Sequence, residues 1–203
     1  MPIFVRDKQA VLYIHVPRTG GSAIATFFRN NGFGLHYIDT DGPASLNRWR
    51  RSSPQHMHAE QINATLRLGQ FAYIFMTVRN PLDRLFSEYK LRNAKLPTPE
   101  TFPVWFDRML HGHAQDPCFL DNHIRPQIDF RIPAAEVFHH EDGRPAMVEQ
   151  ITRKLGGAGL QVTAPDIVPE NEAQAMTIPS TDIDRVDMIA HAFYMRDYTA
   201  FGY

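Results

Sequence analysis

Cysteine is nearly missing from this sequence: among 203 residues there is one, Cys118, which excludes an intramolecular disulfide. A lone cysteine fits a reducing compartment, and its expected role is that of a small buried hydrophobe. No run of about 18 apolar residues exists to span a bilayer. The first residues, Met1-Pro-Ile-Phe-Val-Arg-Asp-Lys8, are too short and too charged for a secretory signal, so a cytoplasmic protein without stable membrane insertion is expected. Charge of one sign is also lacking. With 21 Lys and Arg against 22 Asp and Glu the formal net charge is −1, which leaves no global basic field for nucleic acid. Any anion site must be local. Repeats and low-complexity tracts are absent, and a hydrophobic content of 43% supports one globular domain over residues 1–203.

What is present begins with Val11-Leu-Tyr-Ile-His-Val-Pro-Arg-Thr-Gly-Gly-Ser-Ala-Ile-Ala-Thr-Phe-Phe28. An apolar, β-branched run passes through Pro17, Arg18, Thr19, Gly20, Gly21 and Ser22 into Ile24, Phe27 and Phe28 at helical spacing, which reads as strand, glycine loop and helix. Such a loop can wrap its N–H groups around an oxyanion while the helix N-terminus adds its positive end. Arg18 and the hydroxyls of Thr19 and Ser22 stand alongside, so a phosphate or sulfate is the expected guest. The G-x-x-x-x-G-K-[ST] pattern of nucleoside triphosphatases is not there: the first Gly and the Lys are both missing. A plain strand-to-helix turn with no ligand is the alternative.

A second unit of the same kind follows. Phe71 to Val78 is a continuous apolar run, as in a strand buried on both faces, and it delivers Arg79-Asn80-Pro81 into a helix over 82–93. Asn80 suits the N-cap, Pro81 the first helical position, and Leu82, Leu85, Phe86 and Tyr89 the packed stripe. Arg79 at the strand end and Ser87 on the helix can converge on a second anion. Two such sites on adjacent strand ends suit one ligand with two charged groups in the crevice beyond the strands.

Elsewhere the first helix should stop near Asn30-Asn31-Gly32, with a short strand at Gly34–Ile38 and a polar stretch through Asp39, Asp41, Gly42 and Pro43. Arg48-Trp-Arg-Arg51 reads as a solvated face, with an anionic acceptor as the alternative. A helix is expected over Ala59–Gly69, with His58 near its cap and Gln61 reaching back, which leaves His56 in the preceding loop. A histidine there is suited to take a proton near neutral pH, although a surface or capping role is the commoner one. Lys95–Pro103 reads as a linker and Val104–Leu110 as a short helix. Asp121-Asn-His-Ile-Arg-Pro-Gln127 is dense in hydrogen-bonding side chains. A third strand is expected at Ala135–His140, helices at 145–155 and 184–198, and a docked aromatic tail at Phe201–Tyr203. Strands alternating with helices give an α/β fold, a three-layer sandwich around a mostly parallel sheet.

These motifs resemble the sulfotransferases that use 3′-phosphoadenosine 5′-phosphosulfate (PAPS), in particular the branch with carbohydrate sulfotransferases and small bacterial relatives. His15–Ser22 is similar to that family's 5′-phosphosulfate loop, and Val78–Tyr89 to its 3′-phosphate motif, in which an Arg at the strand end and a Ser about two turns later grip the phosphate. The likeness extends to Pro54–Gln61, the segment that bears the family's base, where aligning on the Gln-His pair selects His56 over His58. Where many members carry Lys in the loop this chain has Arg18, which keeps the charge but cannot donate a proton to the departing phosphate.

The resemblance implies a P-loop-like fold and transfer of a sulfuryl group to a hydroxyl acceptor, a carbohydrate among the candidates. His56 and Arg18 would be catalytic, Pro17 to Ser22, Arg79 and Ser87 would hold PAPS, and no metal is required. His58, Asn122, His123, Arg125 and Gln127 are candidates to line the acceptor pocket, or to tie down a loop by hydrogen bonds. A non-catalytic PAPS or adenosine-bisphosphate binding protein and a nucleotide-dependent kinase are the rival readings.

Overall fold

The computed structural model describes residues 1–39, 44–93, 100–155 and 178–203. Asp41, Gly42 and Pro43, and residues 95–99 of the expected linker, lie outside them. Five strands form one sheet: β1 (Ile3–Arg6), β2 (Gln9–Ile14), β3 (Gly34–His36), β4 (Tyr73–Val78) and β5 (Glu136–His139), in the order β3-β1-β2-β4-β5. The β2–β4 and β4–β5 pairs are parallel, whereas β1 runs antiparallel to both β2 and β3. The expected parallel core is therefore present, and the sheet as a whole is mixed. The antiparallel half comes from a β1–β2 hairpin that turns at Asp7, whose φ of 55° is one that Asp tolerates.

Both faces of the sheet are covered. Alternate residues Tyr13 and Phe75 pack with Ile24, Ala25 and Phe28 of α1 (Gly21–Asn30) and with Met147, Val148 and Ile151 of α5 (Arg144–Lys154). Their neighbours Leu12, Ile14, Ile74, Met76 and Val78 meet Ile62 of α2 (Ala59–Thr65), Phe130 and Phe201 on the opposite side. That is period-2 patterning read from both faces at once, and it accounts for the unbroken apolar runs of β2 and β4. A third cluster joins α3 (Pro81–Asn93), α4 (Phe102–Gln115) and α6 (Ser180–Phe193), with Leu85, Tyr89, Trp105, Phe106 and Val186 at its centre. The chain closes with α7 (Met195–Phe201). No helix among the described residues is long and apolar enough to cross a membrane.

Several boundaries differ from expectation. The helix expected to run to Gly69 ends at Thr65, because Leu66 turns extended and packs under the sheet. The helix expected at 104–110 spans 102–115, since Pro103 occupies the first turn rather than a linker. The one expected at 184–198 starts at Ser180 and breaks at Tyr194, whose hydroxyl donates to the Ile124 carbonyl at 2.7 Å. The tail docks as expected: Phe201 is buried and Tyr203 donates to Glu141 at 3.1 Å.

Candidate functional site

Past the end of β2 the chain makes the turn that its glycines anticipate. Gly20 has φ 93° and caps α1, and Arg18 is also left-handed at φ 68°. At Gly21 a Cβ would lie 2.1 Å from His15 Nε2, so only glycine lets the helix start against that ring. A line of hydroxyls anchors the turn to the sheet. Tyr13 Oη lies 2.6 Å from Thr77 Oγ1, Thr77 lies 2.7 Å from Thr19 Oγ1, and Thr19 donates to the Val16 carbonyl at 2.7 Å. Each such bond contributes about 0.5–1.5 kcal/mol, and burial pushes the Tyr13 phenol up to about 12. The Thr19 hydroxyl is thereby turned inward. Pro17 is buried and Ser22 is exposed at the start of α1.

The second motif lies beside the first. Asn80 caps α3 by accepting from the N–H groups of Leu82 and Asp83 at 3.0 and 3.3 Å. Arg79 is held at its backbone by fully buried Gln127, whose amide accepts from the Arg79 N–H at 3.0 Å and donates to its carbonyl at 2.7 Å. Arg18 reaches across to this motif: its Nε and Nη2 donate to Ser87 Oγ at 3.0 and 2.6 Å, and its Nε lies 3.9 Å from Glu88. Arg79 Nη1 in turn donates to the Arg18 carbonyl at 3.5 Å. The glycine turn and the start of α3 are thus joined through Arg18 and Arg79.

His56 ends a 3-10 turn over Pro54–His56, just before α2, and is 9% exposed. Its Nδ1 lies 2.7 Å from Asp121 Oδ2, so with the carboxylate ionised the ring carries its proton there and presents a bare Nε2. Asp121 also accepts from the Ser53 N–H at 2.6 Å and hydroxyl at 2.7 Å. Burial raises the Asp121 carboxyl, but hydrogen bonds from His56 and Ser53 outweigh it and hold the group at about 2. Burial lowers His56 to about 4 against the pull of Asp121, so the ring is neutral at neutral pH. The carboxylate is delivered by a strained backbone. Leu120, Asp121 and Asn122 take φ values of 54°, 55° and 65°, and the Asn122 amide donates to the His56 carbonyl at 2.8 Å.

Two more histidines face His56. The His15 ring lies 5.0 Å away between centroids and the His123 ring 4.9 Å away. His15 spans from the Gly21 backbone to His56, so the glycine loop and the histidine are separated by a single ring. Burial, with the cationic groups around it, keeps His15 well below its ordinary value. His123 Nδ1 lies 2.8 Å from Glu88 Oε2, and Glu88 also accepts from Arg92 at 2.7 Å. Burial raises Glu88, but these bonds outweigh it and bring it to about 2.

Sequence reasoning named His56, Arg18, Arg79 and Ser87, and the fold gathers them at the carboxyl ends of β2 and β4. Among the candidate acceptor residues, His123 faces His56, whereas Asn122, Arg125 and Gln127 spend their polar groups inside the protein. Arg125 donates to Asn122 Oδ1 at 2.9 Å and to Asp129 at 3.2 Å, with its backbone carbonyl accepting from Arg84. Those three tie the loop down, the alternative read from the sequence. His58 stands at the N-cap of α2, its N–H donating to Gln61 Oε1 at 3.2 Å. Arg48, Trp49 and Arg50 are exposed, as a solvated face should be. Cys118 is buried. The sequence did not single out Asp121, Glu88 or His15. Each lay inside a stretch noted for other reasons, and no local signal tied them to His56.

An α/β sheet with a glycine turn and a basic helix start side by side at parallel strand ends defines a class of proteins that hold phosphorylated or sulfated ligands. Residues 1–141, more than half of the chain, match the sulfotransferase family, and the chain belongs to it. Membership implies a PAPS-dependent enzyme of sulfuryl transfer, which answers the binding-protein and kinase alternatives. Searches of curated proteins and of solved structures found no match.

Proposed function

We propose that this enzyme moves the sulfuryl group of PAPS to a hydroxyl of its acceptor by in-line displacement, with His56 as the general base. The observation that carries this reading is the His56–Asp121 pair: a neutral, buried imidazole with its proton committed to Asp121 and its free nitrogen available, one ring away from the glycine loop. His56 takes the acceptor proton as the oxygen attacks sulfur. Arg18, the N–H groups of Thr19 to Ser22 and the start of α1 stabilise charge growing on the departing 5′-phosphate. Arg79 and Ser87 grip the 3′-phosphate, which fixes the donor's register and distinguishes it from ATP. The contact between Arg18 and Ser87 supports a donor that spans both anchors. No step requires a metal. A sugar hydroxyl is the acceptor class proposed, on the resemblance of the motifs. Residues 142–203 belong to the same catalytic domain, as the burial of Phe201 beneath the sheet and of Asp197 against the Gln127 and Ile128 N–H groups supports.

The test is to supply PAPS with a panel of hydroxyl acceptors, sugars included, and follow release of adenosine 3′,5′-bisphosphate. Turnover should vanish in His56→Ala while the bisphosphate still raises the melting temperature. At about 100 times its dissociation constant that ligand stabilises by about 2.7 kcal/mol. Wild-type turnover in His56→Ala would sink the reading.

A further inference from the structure

The mechanism uses one nitrogen of His56 and leaves a wider arrangement unexplained. Around that ring the fold brings together His56, Asp121 and His123, from the turn before α2 and the strained segment after α4. One ligating atom from each, an imidazole nitrogen twice and a carboxylate oxygen once, lies within 4.8 Å of the other two. A tetrahedral zinc-class ion with bonds of about 2.0–2.1 Å spaces its ligands by about 3.4 Å, so closure by up to about 1.4 Å per pair completes the set. Two histidines and one carboxylate with a fourth position open is a donor set that such ions accept.

The surroundings are those of a ligand set as well. Glu88, 1% exposed, holds His123 Nδ1 at 2.8 Å, leaving Nε2 as that ring's other coordinating atom, and Arg92 in turn holds Glu88. A carboxylate behind a histidine in this way orients the ring and raises its basicity toward a metal. Asp121 is itself fixed by two bonds from Ser53. Sulfuryl transfer by a base and an anion cradle does not need His123 to be oriented by a buried carboxylate.

We infer that His56, Asp121 and His123 form a binding site for a divalent transition ion of the zinc class, and that filling it switches off sulfuryl transfer. A neutral imidazole has one lone pair. Spent on the ion, it leaves His56 nothing with which to take the acceptor's proton. The binding half of this inference stands on the three residues alone, and the inhibitory half rests on His56 as the base.

The experiment titrates the full chain with cobalt(II) chloride, read by visible ligand-field absorption, and with zinc chloride, read by calorimetry, with magnesium chloride as the hard-ion control. One ion per chain is expected, with no magnesium binding, and affinity should fall at least tenfold in both His123→Gln and Asp121→Asn. Circular dichroism and bisphosphate-induced stabilisation of the two variants show that each is folded. In the PAPS assay, zinc should abolish turnover at the concentration that fills the site, and a chelator should restore it. Absence of binding, or binding undiminished in both folded variants, overturns the site. Binding at the site with turnover undisturbed overturns the inhibitory half. If the wild type turns over no acceptor, the functional reading fails, while the cobalt spectrum still decides the site.

Discussion

Residues 17–22 and the cluster around His56 adjoin each other across the His15 ring, yet they are made of different material. The loop is contiguous in sequence and works through backbone: N–H groups, a left-handed turn and a helix start. The histidine cluster works through side chains gathered from the residue after β2, the turn before α2, α3 and the segment after α4. Apart from Arg18, whose side chain reaches to Ser87, such a backbone site tolerates exchanged side chains but not an added Cβ at Gly21, whereas side-chain sites fail when one member is removed and forgive little else. Donor binding and proton transfer should therefore fail separately.

The sharpest way to break that separation is His56→Ala. Loss of a positioned base costs about 10²- to 10⁴-fold in kcat, with adenosine bisphosphate affinity kept. Parallel loss of both, read by turnover and by ligand-induced melting shift, would mean that the two regions are one unit. Acid is the next probe. His56 lies near 4 in the folded chain and near the ordinary 6.5 when unfolded, so protonation favours unfolding. The stability that its neutral form represents is complete above pH 6.5 and is lost as pH falls toward 4, on the order of 2–3 kcal/mol. Melting curves of His56→Gln should be flatter across that window. Asp121 and Glu88, held near 2, act only lower down, between about pH 4 and 2.

Gly21→Ala sharpens the comparison from the loop side. The new methyl group overlaps His15 Nε2, and overpacking of this kind costs about 1–3 kcal/mol by denaturant unfolding. Bisphosphate binding should weaken more than that loss of stability implies. Ser87→Ala is the mildest change. It removes the hydroxyl that accepts from Arg18, about 0.5–1.5 kcal/mol or up to about tenfold in bisphosphate affinity, and leaves the fold intact.

The same contrast decides what could be read from the sequence. The β2 and β4 strands were legible because both faces of each are apolar, and so were the loop and the Asn80 cap, since each lies within a few consecutive residues. The β1 strand was not, because Ile3-Phe-Val-Arg is short and its turn at Asp7 lacks the usual Asn-Gly or Asp-Gly pair. The break at Tyr194 has no glycine or proline to mark it. It follows from a hydrogen bond to Ile124, 70 residues away. Asp121 is 65 residues from His56, and only the folded chain shows that its carboxylate belongs on that ring.

The left-handed φ of 68° at Arg18 sets two selective pressures against each other. Glycine there would relieve about 1–2 kcal/mol of backbone strain, so selection for a sturdier protein favours losing the side chain. Selection for catalysis forbids it if Arg18 has the role proposed for it, because it is the cation that reaches from the loop to Ser87. Such a residue is an informative target for laboratory evolution. Screens for heat tolerance should enrich glycine at position 18, screens for turnover should purge it, and the difference between the two populations would measure how much resilience this enzyme forgoes in order to work.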